Sequence, residues 1–310
     1  MAFRAALRPR SGHGLGEAAV LVVVLAWASN FSLVKFAVDQ GNAPGFILVR
    51  VLAALVALLP VWAFSARRQP FEWRDLPAFG LLAATGHAGF QLGYIFGTEA
   101  SSATSATLIL ALTPAAIAVM SWTTKQEPFH RLTAVGLGLS LVGITLVAGA
   151  QSDFSARIGN AGLFAAMLGW AVYTVWSGRL VRKYGAVRVT LWSMSIGLVF
   201  LVLPVGLLTT PEDFRGLSVT WWAAAVVSGA GSITLAHLLW GYATVRLGPT
   251  YTGVCSNLVP IPALLITWLW LAEPLGGMRF VGAVLIVGGV ALARVRRVGP
   301  GGKIGRRVPA

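Results

Sequence analysis

The sequence predicts an all-α membrane protein of ten transmembrane helices, arranged as two inverted five-helix repeats. Three observations carry that expectation. The chain is 56% hydrophobic and only 11% charged, it divides into ten apolar windows, and it resembles itself at a spacing of about 145 residues. A soluble domain carries roughly a quarter charged residues. With a mean hydropathy of +0.76, this chain does not have water as its main solvent. The windows lie near 17–38, 44–65, 75–97, 101–122, 131–149, 158–178, 189–208, 219–244, 249–271 and 278–294. Each approaches or exceeds the ~20 residues needed to cross a hydrocarbon core of about 30 Å.

The first window follows Arg4, Arg8 and Arg10, so a secretory signal is its rival, with Ala26-Trp27-Ala28 as a small-x-small cleavage site. The apolar stretch runs past that point to Val38 and more membrane follows, which favours an uncleaved helix. Orientation comes from the cations, because insertion retains Lys and Arg on the cytoplasmic side. With the N-terminus inside, nineteen of the 24 cations fall in inside segments. Only Arg157, Arg215 and Arg279 fall outside, and Lys35 and Arg50 fall within the membrane. Both termini are therefore expected in the cytoplasm. The net charge of +14 is spread over span ends and forms no single basic face, so nucleic acid is not an expected partner. The lipid bilayer is.

Charges inside a membrane are costly and mark sites by default. For Lys35 and Arg50 two readings stand. They snorkel to the outer interface or pair with Asp39 or Glu99, or they form an outer vestibule or gate for carboxylates. Trp27, Asn30, Phe31 and Lys35 share one face of the first helix. The third helix carries a polar stripe at His87, Gln91, Tyr94 and Thr98, beside a small face at Gly89, Gly93 and Gly97 that invites a neighbouring backbone. On the sixth, Trp170, Tyr173, Thr174 and Ser177 share a face. Trp27 and Trp170 are expected to line a shared midplane chamber, with Asn30 and Tyr173 offering hydrogen bonds. On the eighth, His237, Trp240 and Thr244 align. On the ninth, Asn257 precedes the Pro260/Pro262 pair, whose missing amide donors free backbone carbonyls, as Pro114 does in the fourth. Packing alone is the plainer account of these polar and proline features. Most of the 12 tryptophans, Trp221 and Trp222 among them, read as interfacial belt. Cys255, the single cysteine, reads as a buried packing thiol.

The repeat appears on sliding the second half over the first. A shift of 148 lays Gly241-Tyr242 on Gly93-Tyr94 and Pro262 on Pro114. A shift of 146 lays Gly282 on Gly136, Gly289 on Gly143 and Glu273-Pro274 on Glu127-Pro128, and 143 lays Trp170 on Trp27. The expected divisions are 1–16, a cytoplasmic segment; 17–150 and 158–297, the repeats; and 298–310, a basic tail. Five spans per copy force the copies to opposite orientations. Inverted repeats give two states of similar energy with a substrate site between them, which is carrier architecture.

Trp27-Ala28-Ser29-Asn30-Phe31 through Lys35, Pro44, Arg50, Ala111-Leu112-Thr113-Pro114, Glu127-Pro128 and the Gly136–Gly143 run resemble the EamA unit of the drug/metabolite transporter superfamily. Leu239-Trp240-Gly241-Tyr242 through Pro260, Glu273-Pro274 and Gly288-Gly289-Val290 resemble the same unit, and the likeness spans roughly residues 18 to 295. Unit two lacks counterparts of Lys35 and Arg50. The resemblance implies a ten-helix inner-membrane carrier, often an exporter of amino acids or related metabolites.

Glu17, Asp39, Glu99, Glu127 and Glu273 all lie near span ends, which disfavours exchange through a buried carboxylate. If transport is proton-coupled, His87 or His237 carries the proton. The chain holds no phosphate-cradling Gly-Lys motif, no HExxH and no supported GxSxG, so no cofactor, metal or enzymatic chemistry is expected. The rival class, a membrane enzyme acting on lipid-linked substrate, would need a charged cluster that these short loops do not build. A non-transporting membrane partner protein is the third reading. The expected ligand is a small zwitterionic or anionic metabolite, held by residues among Trp27, Asn30, Lys35, Arg50, His87, Gln91, Tyr94, Trp170, Tyr173, His237, Trp240 and Asn257.

Overall fold

The computed structural model describes residues 13–65, 69–101, 106, 109–128, 130–148, 157–271 and 277–298. Among these, the regular elements are all helical. α1 is His13–Asp39 and α2 Ala43–Ala63. α3 runs Leu76–Leu82, a π-helical stretch Ala83–Gly89, and Phe90–Glu99 without a break, after a short 3-10 turn Trp73–Asp75. α4 is Thr113–Thr123, α5 Arg131–Ala148, α6 Arg157–Tyr184 and α7 Ala186–Leu207. α8 repeats the pattern of α3: Val219–Val227, π-helical Ser228–Leu235, then Ala236–Leu247. α9 is split into Pro249–Ser256 and Pro260–Leu271, and α10 is Gly277–Val298.

Among the described residues, four helices are long and apolar enough to cross a membrane: Ala43–Ala63, Ile158–Tyr184, Ala186–Leu207 and Val219–Leu247. Their outward faces show large side chains such as Val56, Leu59, Val199 and Leu203, which only a lipid exterior tolerates in such number. α1 runs unbroken through the signal-like Ala26-Trp27-Ala28, and Ala28 is buried.

The two halves are alike in their irregularities. The π-helical stretches of α3 and α8 stand about 146 residues apart. So do the turn at Ala111-Leu112 that precedes α4 and the turn at Asn257–Val259 that divides α9. Pro114 and Pro260 open helices where their missing N–H groups are tolerated. Pro60 of α2 and Pro204 of α7 match in the same way.

α5 and α10 cross at glycines in reversed order. A Cβ on Gly136 would strike the Gly289 carbonyl at 2.5 Å, and one on Gly143 the Gly282 carbonyl at 2.5 Å. Ser140 Oγ donates to the Ile286 carbonyl at 3.5 Å between them. Gly282 and Gly289 are themselves the repeat counterparts of Gly136 and Gly143, so this antiparallel contact maps onto itself when the halves are exchanged. That is the property of an internal two-fold axis.

The other pairs follow suit. α3 packs on α6, where Gly93 meets the Gly162 carbonyl and Gly97 meets Leu163. α8 packs on α1, where Gly16 meets Leu247. The third expected small residue, Gly89, faces no other helix, because the π-helical turn rotates it against its own Ala84 carbonyl. Trp221, expected at the interface, is fully buried against Phe46 and Phe214, while Trp222 is partly exposed. The first turn of α8 lies over α2 and covers it. Cys255 is buried, as expected.

Candidate functional site

The π-helical stretches set the geometry of the centre. A π turn widens the helix by one residue and is a common device at functional sites. In α3 it carries His87, and in α8 it ends just before His237. Glycines let neighbours seat directly on these stretches. A Cβ on Gly86 would lie 2.3 Å from the Tyr173 ring, and one on Gly229 would lie 2.2 Å from the Arg50 carbonyl.

Between α1, α3, α6 and α8 the aromatic side chains form one connected cluster. Trp27 meets Trp170 edge-on with centroids 5.4 Å apart, and Trp240 at 5.0 Å. Trp170 stacks on Tyr173 at 5.1 Å and touches His237 at 5.1 Å. His87 and His237, one from each half, stack at 5.0 Å with 18° between their planes. Phe90, which sequence reasoning passed over, bridges Trp170 to Tyr94. The expected meeting of Trp27 and Trp170 is therefore present. The rings fill the space between them by packing on one another.

Hydrogen bonds fix these rings. Trp27 Nε1 donates to the Ser232 carbonyl at 3.3 Å, and Ser232 Oγ donates to the Ala26 carbonyl at 3.0 Å. Asn30, buried, accepts from Ser228 Oγ at 2.6 Å. Trp240 Nε1 donates to Thr174 Oγ1 at 3.0 Å. Ser193 Oγ donates to the Val189 carbonyl, so His87 Nε2, 2.9 Å away, is the donor toward Ser193. His237 Nδ1 donates to the Ile233 carbonyl at 2.7 Å, which leaves Nε2 as a lone pair with no partner. Ser228, Ser232 and Ser193 were not anticipated. The Ser228-Gly229-Ala230-Gly231-Ser232 run was the one sequence signal for the first two.

Arg50 departs most from expectation. It neither snorkels nor pairs with Asp39 or Glu99. Its side chain is 3% exposed, the guanidinium lies 5.5 Å from the Phe46 ring centroid, and Nε and Nη1 have no hydrogen-bond partner. No carboxylate of the described residues reaches it. The guanidinium stands within electrostatic range of Tyr94 and of His237. The cause is the α2–α8 contact at Gly229, which draws this turn of α2 inward. Burying an unpaired charge costs several kcal/mol even after relaxation, roughly.

Gln91, one turn from His87 and Tyr94 on the same α3 stripe, is 3% exposed and its Oε1 lacks a partner. Asn257 is buried at the α9 break with Nδ2 unpartnered. It lies outside the ring cluster, in the turn between the halves of α9. The side chain of Lys35 lies outside the described residues. Among the described residues no group of three or more His, Cys, Asp or Glu is placed to hold a metal.

A second cluster, also unanticipated, joins the halves at one end of the molecule. Lys183 at the end of α6 reaches Glu72 at 2.8 Å and Asp75 at 2.6 Å, and the Tyr184 hydroxyl donates to the same Asp75 oxygen at 2.6 Å. Arg188 donates to the Gln69 carbonyl beside it. The hydrogen bond from Lys183 holds the Glu72 carboxyl below the usual carboxylate range.

The profile of the EamA-like transporter family matches residues 14–149 and again 157–295. The chain belongs to the EamA-like transporter family. It is thus an integral membrane protein of two EamA units, and the contact of α5 with α10 is one of the junctions between those units. Among relatives, a probable terminal-alkyne amino-acid exporter of Streptantibioticus cattleyicolor is 28% identical over 91% of this chain and 94% of its own. The transporter YdfC of Bacillus subtilis is 26% identical over 87% of this chain and 88% of its own. A crystal structure of a protein 23% identical superposes with a TM-score of 0.73, covering 94% of this EamA-like chain and 99% of that one, which shows the shared fold.

Proposed function

We propose that this EamA-like protein is a secondary carrier that exports small amino-acid-like metabolites by alternating access. Its ten helices each cross the membrane, the two units lie inverted, both termini are cytoplasmic, and the membrane is the bacterial inner one. The observation that carries this reading is the aromatic centre built from both units, with Trp27, His87, Phe90 and Tyr94 from one and Trp170, Tyr173, His237 and Trp240 from the other. A site on the exchange axis is equally near both sides of the membrane, so rocking one unit against the other exposes it alternately. Aromatic walls suit a small apolar side chain, which accords with the named cargo of the Streptantibioticus relative. A coupled proton, if one moves with the substrate, is assigned to the His87–His237 stack.

The test is counterflow. Proteoliposomes loaded with unlabelled amino acids are expected to accumulate the same labelled solute transiently, and an imposed pH gradient is expected to bias the flux if the histidine pair is coupled. Absence of counterflow across the amino-acid set contradicts the carrier reading.

A further inference from the structure

We propose that Arg50 anchors the carboxylate of a zwitterionic amino acid, with Gln91 Oε1 and His237 Nε2 taking its ammonium; this deepens the carrier reading and rests on it. Four buried polar atoms in this region lack partners, and they are of two kinds. Arg50 Nε and Nη1 are donors on a permanent cation. Gln91 Oε1 is an acceptor, and His237 Nε2 is one too, because Nδ1 already holds the ring proton against the Ile233 carbonyl. A guanidinium with free N–H donors beside neutral acceptors complements an α-amino acid: carboxylate on the guanidinium, ammonium on the acceptors, side chain on the rings.

Placement supports the grouping. Arg50 is in electrostatic range of both His237 and Tyr94, and Tyr94 and Gln91 share the α3 stripe with His87, which stacks on His237. A guanidinium binds a carboxylate through two parallel hydrogen bonds, which an ammonium cannot reproduce. An arginine kept only for packing would be expected to have partners for its buried N–H groups. The sequence left Arg50 between snorkelling or pairing at the outer interface and lining an outer vestibule or gate; buried beside Phe46, it does not snorkel.

The experiment uses the full chain purified in nanodiscs, with ligand-induced thermal stabilisation as the readout. The probes are the twenty proteinogenic amino acids, their amides, which lack the carboxylate, and their N-acetyl derivatives, which lack the ammonium. At least one amino acid is expected to stabilise the wild type, with its amide and its N-acetyl derivative binding about 10- to 100-fold more weakly. Arg50→Gln is expected to erase the preference of acid over amide, and Arg50→Lys to restore part of it. Without ligand, Arg50→Met is expected to melt no lower than wild type, since it removes an unpaired buried charge.

The inference is overturned if no acid outbinds its amide, if Arg50→Gln weakens acid and amide equally, or if Arg50→Met lowers the ligand-free melting temperature. Counterflow separates this failure from that of the carrier reading. Exchange of amino acids and of their amides at equal rates sinks the anchor and leaves the carrier. Acid-over-amide discrimination without exchange of any solute leaves the anchor and sinks the carrier.

Discussion

At the scale of single residues, the centre is held by side chains whose packing and polarity serve different ends. Trp170 touches Trp27, Tyr173, His237 and Trp240 at once, so its size sets the room left beside the histidines. Trp170→Phe removes part of one ring while keeping an aromatic wall. We expect it to shift counterflow preference toward bulkier side chains by about tenfold, the order that modest changes in an apolar pocket produce; unchanged preference would remove Trp170 from the substrate wall. The candidates legible in the sequence were those whose chemistry is unusual inside a membrane: His87, Gln91, His237 and Arg50. The burial of Arg50 was not legible because depth along a helix says nothing of rotation. Only the Gly229 contact, made by a residue 179 positions away in the chain, turns it inward.

At the scale of elements, glycine-lined crossings do the work that side-chain interdigitation does elsewhere. α5 and α10 approach until backbone carbonyls stand where a Cβ would be, which maximises dispersion contacts between helices that gain nothing from the hydrophobic effect inside lipid. Gly289→Val would drive side-chain atoms into the Gly136 carbonyl. We expect a loss of about 1–3 kcal/mol or more, seen as a lower melting temperature. By contrast Gly138→Val, with nothing within 4 Å of its missing Cβ, is expected to be near neutral. Equal melting of both variants would contradict the packing account. The recurrence of these glycines in the two halves was readable in the sequence, but their meeting across α5 and α10 was not. The π-helical stretches were not, because they leave no compositional mark beyond small residues and break the 3.6-residue spacing by only one position.

The cluster of Lys183, Glu72, Asp75 and Tyr184 is the other device at this scale, tying the loop before α3 to the end of α6. Its pH dependence has a definite sign. The Glu72 carboxyl is depressed in the folded protein, chiefly by the Lys183 hydrogen bond. Its contribution is therefore present above the ordinary carboxylate value of about 4.3 and is lost as pH falls through the lower folded value. The melting temperatures of wild type and Lys183→Met are expected to differ steadily between about pH 5 and 8 and to converge below about pH 4. A gap that widens on acidification would refute the assignment. The sequence hid this pairing, since Lys183 counted there as one more cytoplasmic cation, and its carboxylate partners lie 108 and 111 positions away.

At the scale of the whole molecule, hydropathy, cation distribution and the repeat converged on a membrane protein of two like units. The family match and the exchange-symmetric contact of α5 with α10 agree with that architecture. The distribution of polar contacts suggests how it moves. One end is tied by Lys183 to Glu72 and Asp75. The other is tied by Asn42 Nδ2 to the Asp213 carbonyl at 3.0 Å and by Ser218 Oγ to Gln40 Oε1 at 2.7 Å. On the carrier reading proposed above, both ends joined with the rings packed between them correspond to an occluded state, from which one end opens at a time.

Alternating opening is the central claim, and a pair of spin-label distances tests it most directly. In a Cys255→Ser background, one pair at Trp73 and Arg179 reports the first end, and one at Gln40 and Val219 reports the second. On titrating a transported amino acid, the account predicts opposed changes, with one distance lengthening as the other shortens. Two distances that lengthen together, or that do not respond while counterflow proceeds, would contradict it.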